Sequence, residues 1–259
     1  MSAAPVLEFR NVSRAFKVPG SRQVHLAVDC VSLEVRTGEV LALVGETGSG
    51  KSTLAKIGLQ LIKQTEGDVL WFGRQTSALG AADLRRTRLK VQPVFQDPTA
   101  SFNPRRRVGD TLEQALRAAG KSGPEVSAMS DELLNLIGLR PPRSYRDTYP
   151  HQLSGGQRQR LAIARAMATD PLVIIADEPL TGADVSIRGQ LLNLFVDLQE
   201  RLGVAYLFIT HDIAVAKSFG QRVAIMQHGR IVEVGAAAKV LTHPDQLYTR
   251  QLLEAVHVP

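Results

Sequence analysis

Val40-Leu41-Ala42-Leu43-Val44, followed at once by Gly45-Glu46-Thr47-Gly48-Ser49-Gly50-Lys51-Ser52, is the stretch from which the rest of this 259-residue chain is read. Five apolar residues without a polar break fit a strand buried on both faces, as in a parallel sheet covered by helices. The octet after it matches Gly-x-x-x-x-Gly-Lys-[Ser/Thr]. Residues 53–62 then place Leu54, Ile57 and Leu61 on one helical face. Strand, glycine turn and helix in that order make a cradle for anions. Glycines let the backbone run close to phosphates, and successive N–H groups and the helix N-terminus point at the negative charge. Lys51 adds a cation for the β- and γ-phosphates, and the Ser52 hydroxyl suits Mg²⁺. Gly45, Glu46, Thr47, Gly48, Ser49, Gly50, Lys51, Ser52 and Thr53 are therefore the first candidate site residues.

Outward from this loop, the N-terminal third reads as strands. Leu7 and Phe9 alternate with polar neighbours, as do Val31, Leu33 and Val35, and Val69-Leu70-Trp71-Phe72 runs into Gly73. The middle changes period. Leu112, Ala115, Leu116 and Ala119 sit at helical spacing; Leu133, Leu134 and Ile137 do the same, with Ser130 as the expected N-cap and Gly138 as the stop. Residues 99–152 are expected to be a mostly helical insertion. Buried-strand runs return at 172–176 and 205–209, with a helix over 191–202 between them. Residues 223–226 and 230–234 read as two strands joined at His228-Gly229. The pattern is an α/β core with a helical subdomain inserted before its later strands.

Two further constellations carry chemistry. The strand at 172–176 ends in Asp177-Glu178. Two carboxylates at the end of a buried strand beside a phosphate cradle suit different tasks: Asp177 for Mg²⁺, directly or through water, and Glu178 for polarising an attacking water. The second is Leu153-Ser154-Gly155-Gly156-Gln157, which opens a helical stretch over 158–169. Ser154 and the Gly155 and Gly156 amides form another potential phosphate cradle. One nucleotide does not readily need two cradles from one chain, so each is expected to face a different chain.

With these residues in hand, the sequence resembles the nucleotide-binding subunit of ATP-binding cassette (ABC) transporters, from about residue 7 to residue 253. Leu153 to Gln157 matches that family's signature motif without a change. The resemblance implies a P-loop NTPase (RecA-like) core, an N-terminal antiparallel β subdomain and the inserted helical subdomain, all within one ATPase domain over 1–259. It also implies roles for residues that say little singly. Phe16 matches the aromatic that stacks on adenine, and Gln96 the glutamine that senses Mg²⁺ and the attacking water. Asp184 closes the D-loop, and His211 matches the switch histidine at the γ-phosphate. Glu178, His211, Gln96 and Lys51 are the implied catalytic set, and Ser52, Gln96 and Asp177 the implied metal set. Gln157 joins Ser154, Gly155 and Gly156 on the nucleotide. The implied ligands are ATP and Mg²⁺.

The resemblance further implies a head-to-tail pair of cassettes, identical or sibling, each ATP lying between one chain's P-loop and the other's signature. Transmembrane permease subunits and an extracytoplasmic solute-binding protein complete the system, and this subunit sits peripherally on the cytoplasmic face of the cell (inner) membrane. A narrower likeness, in Val94 to Arg105 (VFQDPTASFNPR), in Asp184-Val185-Ser186-Ile187 running into Leu191 and in the tail Tyr248-Thr249-Arg250-Gln251-Leu252-Leu253, is to the oligopeptide, dipeptide and nickel importer branch. Peptides or a related small solute are the expected cargo, with nickel as the alternative. The D-loop departs from the usual Ser-Ala-Leu-Asp, reading Thr181-Gly182-Ala183-Asp184.

Composition limits the alternatives. The formal net charge of +6 suits nucleic acid, an anionic membrane face or a polyphosphate without choosing among them. A soluble ABC ATPase acting on nucleic acid would need stacking or base-reading residues that the sequence does not display, so no nucleic-acid partner is expected. A small-molecule kinase is disfavoured by the signature motif and Glu178. Cys30 is the one cysteine, so no internal disulfide and no cysteine-based metal site is expected, which fits a reducing compartment. Residues 1–10 do not read as a signal peptide.

Overall fold

The computed structural model describes residues 4–17, 20 and 23–256. Along the chain, β1 (Pro5–Lys17) and β2 (Val24–Arg36) lead into β3 (Val40–Val44) and the P-loop helix α1 (Lys51–Gly58). Then come β4 (Glu66–Trp71), β5 (Arg74–Gln75), α2 (Ala81–Arg88) and β6 (Val91–Phe95). Between β6 and β7 lie α3 (Val108–Ala118), α4 (Glu125–Leu136), α5 (Arg143–Arg146) and α6 (Gly155–Met167). The chain continues through β7 (Val173–Asp177), α7 (Val185–Leu202), β8 (Ala205–Thr210), α8 (Ile213–Phe219), β9 (Arg222–Gln227), β10 (Arg230–Ala236), α9 (Ala237–Val240) and α10 (Leu247–Val256).

The strands form two sheets. One is antiparallel, in the order β2-β1-β4-β5; the other runs β10-β9-β3-β8-β7-β6. In the second, β6, β7, β8, β3 and β9 are mutually parallel and β10 closes the edge antiparallel to β9. The uninterrupted apolar runs have their cause here. In β7, Val173 and Ile175 face a core shared with α1 and the antiparallel sheet, while Ile174 and Ala176 face the core built on α6 and α7. In β8, Leu207 and Ile209 take the first side and Tyr206 and Phe208 the second. A strand covered on both faces has no position for a polar residue, so the period-2 signal vanishes.

α1 is the hinge of the architecture. Leu54, Ala55 and Ile57 are fully buried between Phe9, Val69 and Trp71 of the antiparallel sheet and Leu41, Leu43 and Ile175 of the parallel one. Trp71 Nε1 donates to the Gly58 carbonyl at 2.8 Å, satisfying one of the C-terminal acceptors of this helix. The second core fills the space between the parallel sheet and the later helices. There Phe195, Tyr206, Phe208 and Phe219 meet mostly edge to face, with centroids 5.2–6.4 Å apart.

Some expectations fail locally. α1 stops at Gly58 rather than near 62, because the chain turns through Gln60 at φ 54. Leu61 is consequently 55% exposed and off the packed face. Leu172 is outside β7 and about half exposed. Ser130 does not cap α4, which begins five residues earlier; it is fully buried in mid-helix and its hydroxyl has no partner. The Gly138 stop is observed, at φ 75. Among the described residues no helix is long and apolar enough to cross a membrane. The run Arg85, Arg86 and Arg88 lies on the exposed face of α2, a solvated surface.

Because Leu54 is buried where both sheets meet, Leu54→Ala should lower unfolding free energy by about 2–5 kcal/mol in urea titrations. Leu61→Ala, on the exposed turn, should stay within about 0.5 kcal/mol of wild type. Equal costs would show that α1 is not the element joining the two sheets.

Candidate nucleotide-binding site

The P-loop is shaped by its neighbours as well as by its own glycines. Gly50 has φ 107, and a Cβ there would lie 2.2 Å from the Ala27 carbonyl; one on Gly45 would lie 2.2 Å from that of Met226. Protein backbone, not a ligand, therefore enforces these two glycines. Gly48, at the crest, meets nothing within 4 Å and lines the adjoining hollow. The turn hands its first helical bond to Leu54, whose N–H donates to the Gly50 carbonyl at 2.9 Å. Lys51 folds back over the loop: Nζ donates to the Gly45 and Glu46 carbonyls, each at 2.7 Å, and lies 3.4 Å from Ser49 Oγ. Burial holds the Lys51 ammonium below its ordinary pKa, against the opposing pull of Glu178, Asp177 and Glu46.

The carboxylates arrive from β7. Ser52 Oγ donates to Asp177 Oδ1 at 2.9 Å, joining the first turn of α1 to the end of that strand. Burial raises the Asp177 pKa, the Ser52 bond lowers it and the neighbouring Glu178 raises it again. Glu178 adopts φ 48, a left-handed conformation that costs a non-glycine residue on the order of 1–3 kcal/mol. Its N–H donates to the Ile209 carbonyl at 3.0 Å, so the turn is fastened to β8. Two groups then converge on one carboxylate oxygen. Thr181 Oγ1 donates to Glu178 Oε2 at 2.9 Å, and His211 Nδ1 lies 3.2 Å from the same atom. Oε1 has no hydrogen-bond partner among the described residues. The histidine loop is fixed by Asp212, which caps α8 through the Ala214 and Val215 amides and accepts from Arg188 Nη1 at 3.2 Å.

One hollow of about 650 Å³ is lined by Thr47, Gly48, Gly50, Lys51, Ser52 and Thr53 together with Phe16, Gln96, Glu178 and His211. Gly45, Glu46, Ser49 and Asp177 support that lining from behind, by the bonds just described. Ser154, Gly155 and Gly156 are not in it. They line a second hollow of about 590 Å³ with Asp184, Ile187 and Arg158, and the two linings share Gln96 and Thr181. There Ser154 and Gln157 form a reciprocal cap on α6: the Gln157 N–H reaches Ser154 Oγ at 3.2 Å and the Ser154 N–H reaches Gln157 Oε1 at 2.9 Å. Gly156 has a packing reason as well, since a Cβ would lie 2.7 Å from Ile187 Cγ2. Asp184 Oδ1 accepts from the Ile187 N–H at 2.9 Å and so caps α7.

Several site residues escape a reading of the sequence. His25 lines the P-loop hollow because strand register pairs it with Phe16. Gln159 is buried and donates to the Phe95 carbonyl at 3.1 Å, tying the signature helix to β6, the strand that leads into Gln96. Tyr248 reaches the loop from α10, its hydroxyl accepting from the Glu46 N–H at 3.5 Å. None of these has a sequence signal. Thr181 does: a hydroxyl three residues after a strand-end carboxylate is placed to turn back to it.

Comparison with known proteins gives the family and the fold. A family model described as ABC transporter matches residues 28–181. The chain is 45% identical, over 98% of its length, to glutathione import ATP-binding protein GsiA of Shigella flexneri serotype 5b (strain 8401), and equally so to GsiA of Escherichia coli (strain K12). It spans 41% of the length of those relatives. Among solved structures, dimeric MJ0796, described as a bacterial ABC transporter cassette, superposes with a TM-score of 0.80 at 31% identity, covering 89% of this chain and 98% of that one. CbiO1 from Clostridium perfringens superposes with a TM-score of 0.78 at 24% identity over 98% of this chain and 99% of that one, a likeness of fold.

The buried Asp177 gives a pH-dependent signature. Its folded-state pKa is raised, so the folded chain holds the proton to higher pH than the unfolded chain does, and stability falls as pH rises through that window. Asp177→Asn keeps an acceptor for Ser52 and removes the buried charge. In the absence of nucleotide it should melt higher than wild type at pH 7, by on the order of 2–4 °C. The difference should close as pH falls below the ordinary carboxylate range. A variant that melts lower at pH 7 would contradict the burial argument.

Proposed function

The chain belongs to the ABC transporter family, and on that premise we propose that it is the ATP-binding and ATP-hydrolysing subunit of an importer. The observation that carries the reading is the convergence on one hollow of a cation on a P-loop, a hydroxyl backed by the Asp177 carboxylate and a carboxylate–histidine pair. Residues 1–259 act as one cassette, with 99–152 as its helical insertion. Phe16 takes the base. Residues 45–53 take the phosphates, and Lys51 exchanges its loop carbonyls for β- and γ-oxygens. Ser52, Asp177 and Gln96 fit a hard cation with few protein ligands, since their donors are oxygens and the remaining positions suit phosphate and water. A bound Mg²⁺ would neutralise charge building on the phosphates. Glu178 accepts a proton from the attacking water through Oε1, the oxygen that Thr181 and His211 leave free. Gln96 and His211 orient the water and the γ-phosphate.

The second hollow receives the ATP held by another cassette, identical or sibling, and Ser154, Gly155, Gly156, Gln157 and Asp184 belong to that shared site. Closure of the pair moves permease subunits in the membrane, with the cassette peripheral on the cytoplasmic face of the cell (inner) membrane and a solute-binding protein delivering cargo outside. The relatives' names give glutathione import as their task; a small peptide of that kind is the cargo class we propose here.

Glu178→Gln should bind ATP and accumulate a closed dimer on gel filtration while phosphate release falls by at least ~10²-fold. Normal turnover would remove Glu178 as the base. Lys51→Ala should weaken ATP binding by roughly 10–100-fold and nearly abolish hydrolysis; full affinity together with full activity would sink the P-loop assignment.

A further inference from the structure

Phe16 is not a free-standing ring. Arg14, two residues before it on β1, folds its guanidinium over the Phe16 ring with Cζ 4.6 Å from the centroid. A two-residue step keeps both side chains on one side of a strand. The register of β1 against β2 shifts on both sides of Arg14, so the strand is bent there. Arg14 also reaches across to the segment that follows α1: Nη1 donates to the Lys63 carbonyl at 2.9 Å, while Nε is buried without a partner. That same segment is stitched to β1 twice more. The Ala15 N–H donates to Thr65 Oγ1 at 3.1 Å, and the Thr65 N–H donates to the Ser13 carbonyl at 2.8 Å.

These contacts have a geometric consequence. α1 starts at the phosphate cradle, and the segment downstream of it holds the strand that carries Phe16. A nucleotide has a fixed reach from base to phosphates, so the ring and the loop must keep a fixed separation. Arg14 touches both the ring and the segment that follows α1. It covers one face of Phe16, and the ring, 36% exposed, still borders the P-loop hollow. A guanidinium on one face of an aromatic ring is attracted by its quadrupole and resists rotation of the ring, leaving the opposite face to an incoming base.

We propose that Arg14 is the positioning residue of the nucleobase platform, holding Phe16 flat for the base and in register with the P-loop helix. The proposal rests on the reading of Phe16 as the residue that takes the base. Arg14 is not in the lining of the P-loop hollow, so its loss weakens recognition of the base and spares recognition of the polyphosphate.

The test compares ATP with inorganic tripolyphosphate by equilibrium binding to the intact chain, for wild type, Arg14→Met, Arg14→Lys, Phe16→Ala and the Arg14→Met/Phe16→Ala double variant. Arg14→Met should weaken ATP about 3–10-fold and leave tripolyphosphate within about twofold, with a melting temperature lowered by no more than about 4 °C by the lost bond to the Lys63 carbonyl. Arg14→Lys, which keeps the charge and loses the planar stack, should show a smaller loss with the same selectivity; this variant also decides the matter if the methionine variant does not fold. The double variant should bind ATP no more weakly than Phe16→Ala. Wild-type ATP affinity in both Arg14 variants, beside a selective loss in Phe16→Ala, would overturn the proposal and leave the platform standing. Equal weakening of both probes by the Arg14 variants would also overturn it. A Phe16→Ala variant that does not distinguish the probes would remove the platform itself.

Discussion

The hydrogen bond from Ser52 Oγ to Asp177 Oδ1 spans 125 residues of sequence and joins the first turn of α1, the helix that follows β3, to the end of β7, although β8 lies between β3 and β7. It fixes the start of α1 against the end of β7. The rest of the site follows from the parallel sheet. β3, β6, β7 and β8 all run in one direction, so the P-loop, Gln96, the Asp177-Glu178 pair and His211 emerge together at the carboxyl ends of four strands. Crevices outside those ends are where open α/β sheets bind ligands. Parallel strands can place four chemical groups at one edge because each returns by a crossover through a helix, and those helices are the layers that make the strands apolar on both sides.

The same arrangement loads the site with opposing charges before any ligand arrives. Burial lowers the Lys51 pKa and raises that of Asp177, so each is held in a setting that disfavours its charged form. Lys51 compensates by donating to its own loop carbonyls, and Asp177 by accepting from Ser52. Glu178 adds backbone strain at φ 48. A polyphosphate offers Lys51 stronger, anionic acceptors in place of neutral carbonyls. On the proposed reading, the ligand relieves costs already built into the fold, and the site is stable alone only because the two cores beneath it are extensive.

How much of this the sequence discloses depends on the range of the interaction. The buried strands, the P-loop and the strand-end carboxylates are legible because each is a local pattern with one physical cause. The errors are local too. Helical spacing at Leu61 continues past the point where Gln60 breaks the helix, and Ser130 looks like a cap because serines often are, although α4 already covers it. What stays hidden is contact across the chain. His25 enters the hollow by strand register, Gln159 holds the Gln96 strand from a different helix, and Arg14 meets Phe16 through a bent strand. Phe16 itself shows the limit: a lone aromatic reads as core, and only its place beside the loop distinguishes it.

The two glycines of the signature turn are not equivalent, and the difference bears on what completes the site. Gly156 is demanded by this chain's own packing, since any Cβ would strike Ile187. Gly155 is not: a Cβ there would meet nothing within 4 Å, and its φ is not positive. A glycine at a helical position costs roughly 1 kcal/mol relative to alanine, so nothing inside the chain favours it. The neighbouring Ser154 and Gln157 have already satisfied the cap. What Gly155 gains is an uncovered backbone at the N-terminus of α6, on a hollow whose lining is largely separate from that of the P-loop. Close approach of an anion brought by another molecule is the physical circumstance that makes such a bare turn worth its cost, and this is why the proposed partner is a second cassette rather than a second ligand of the same chain.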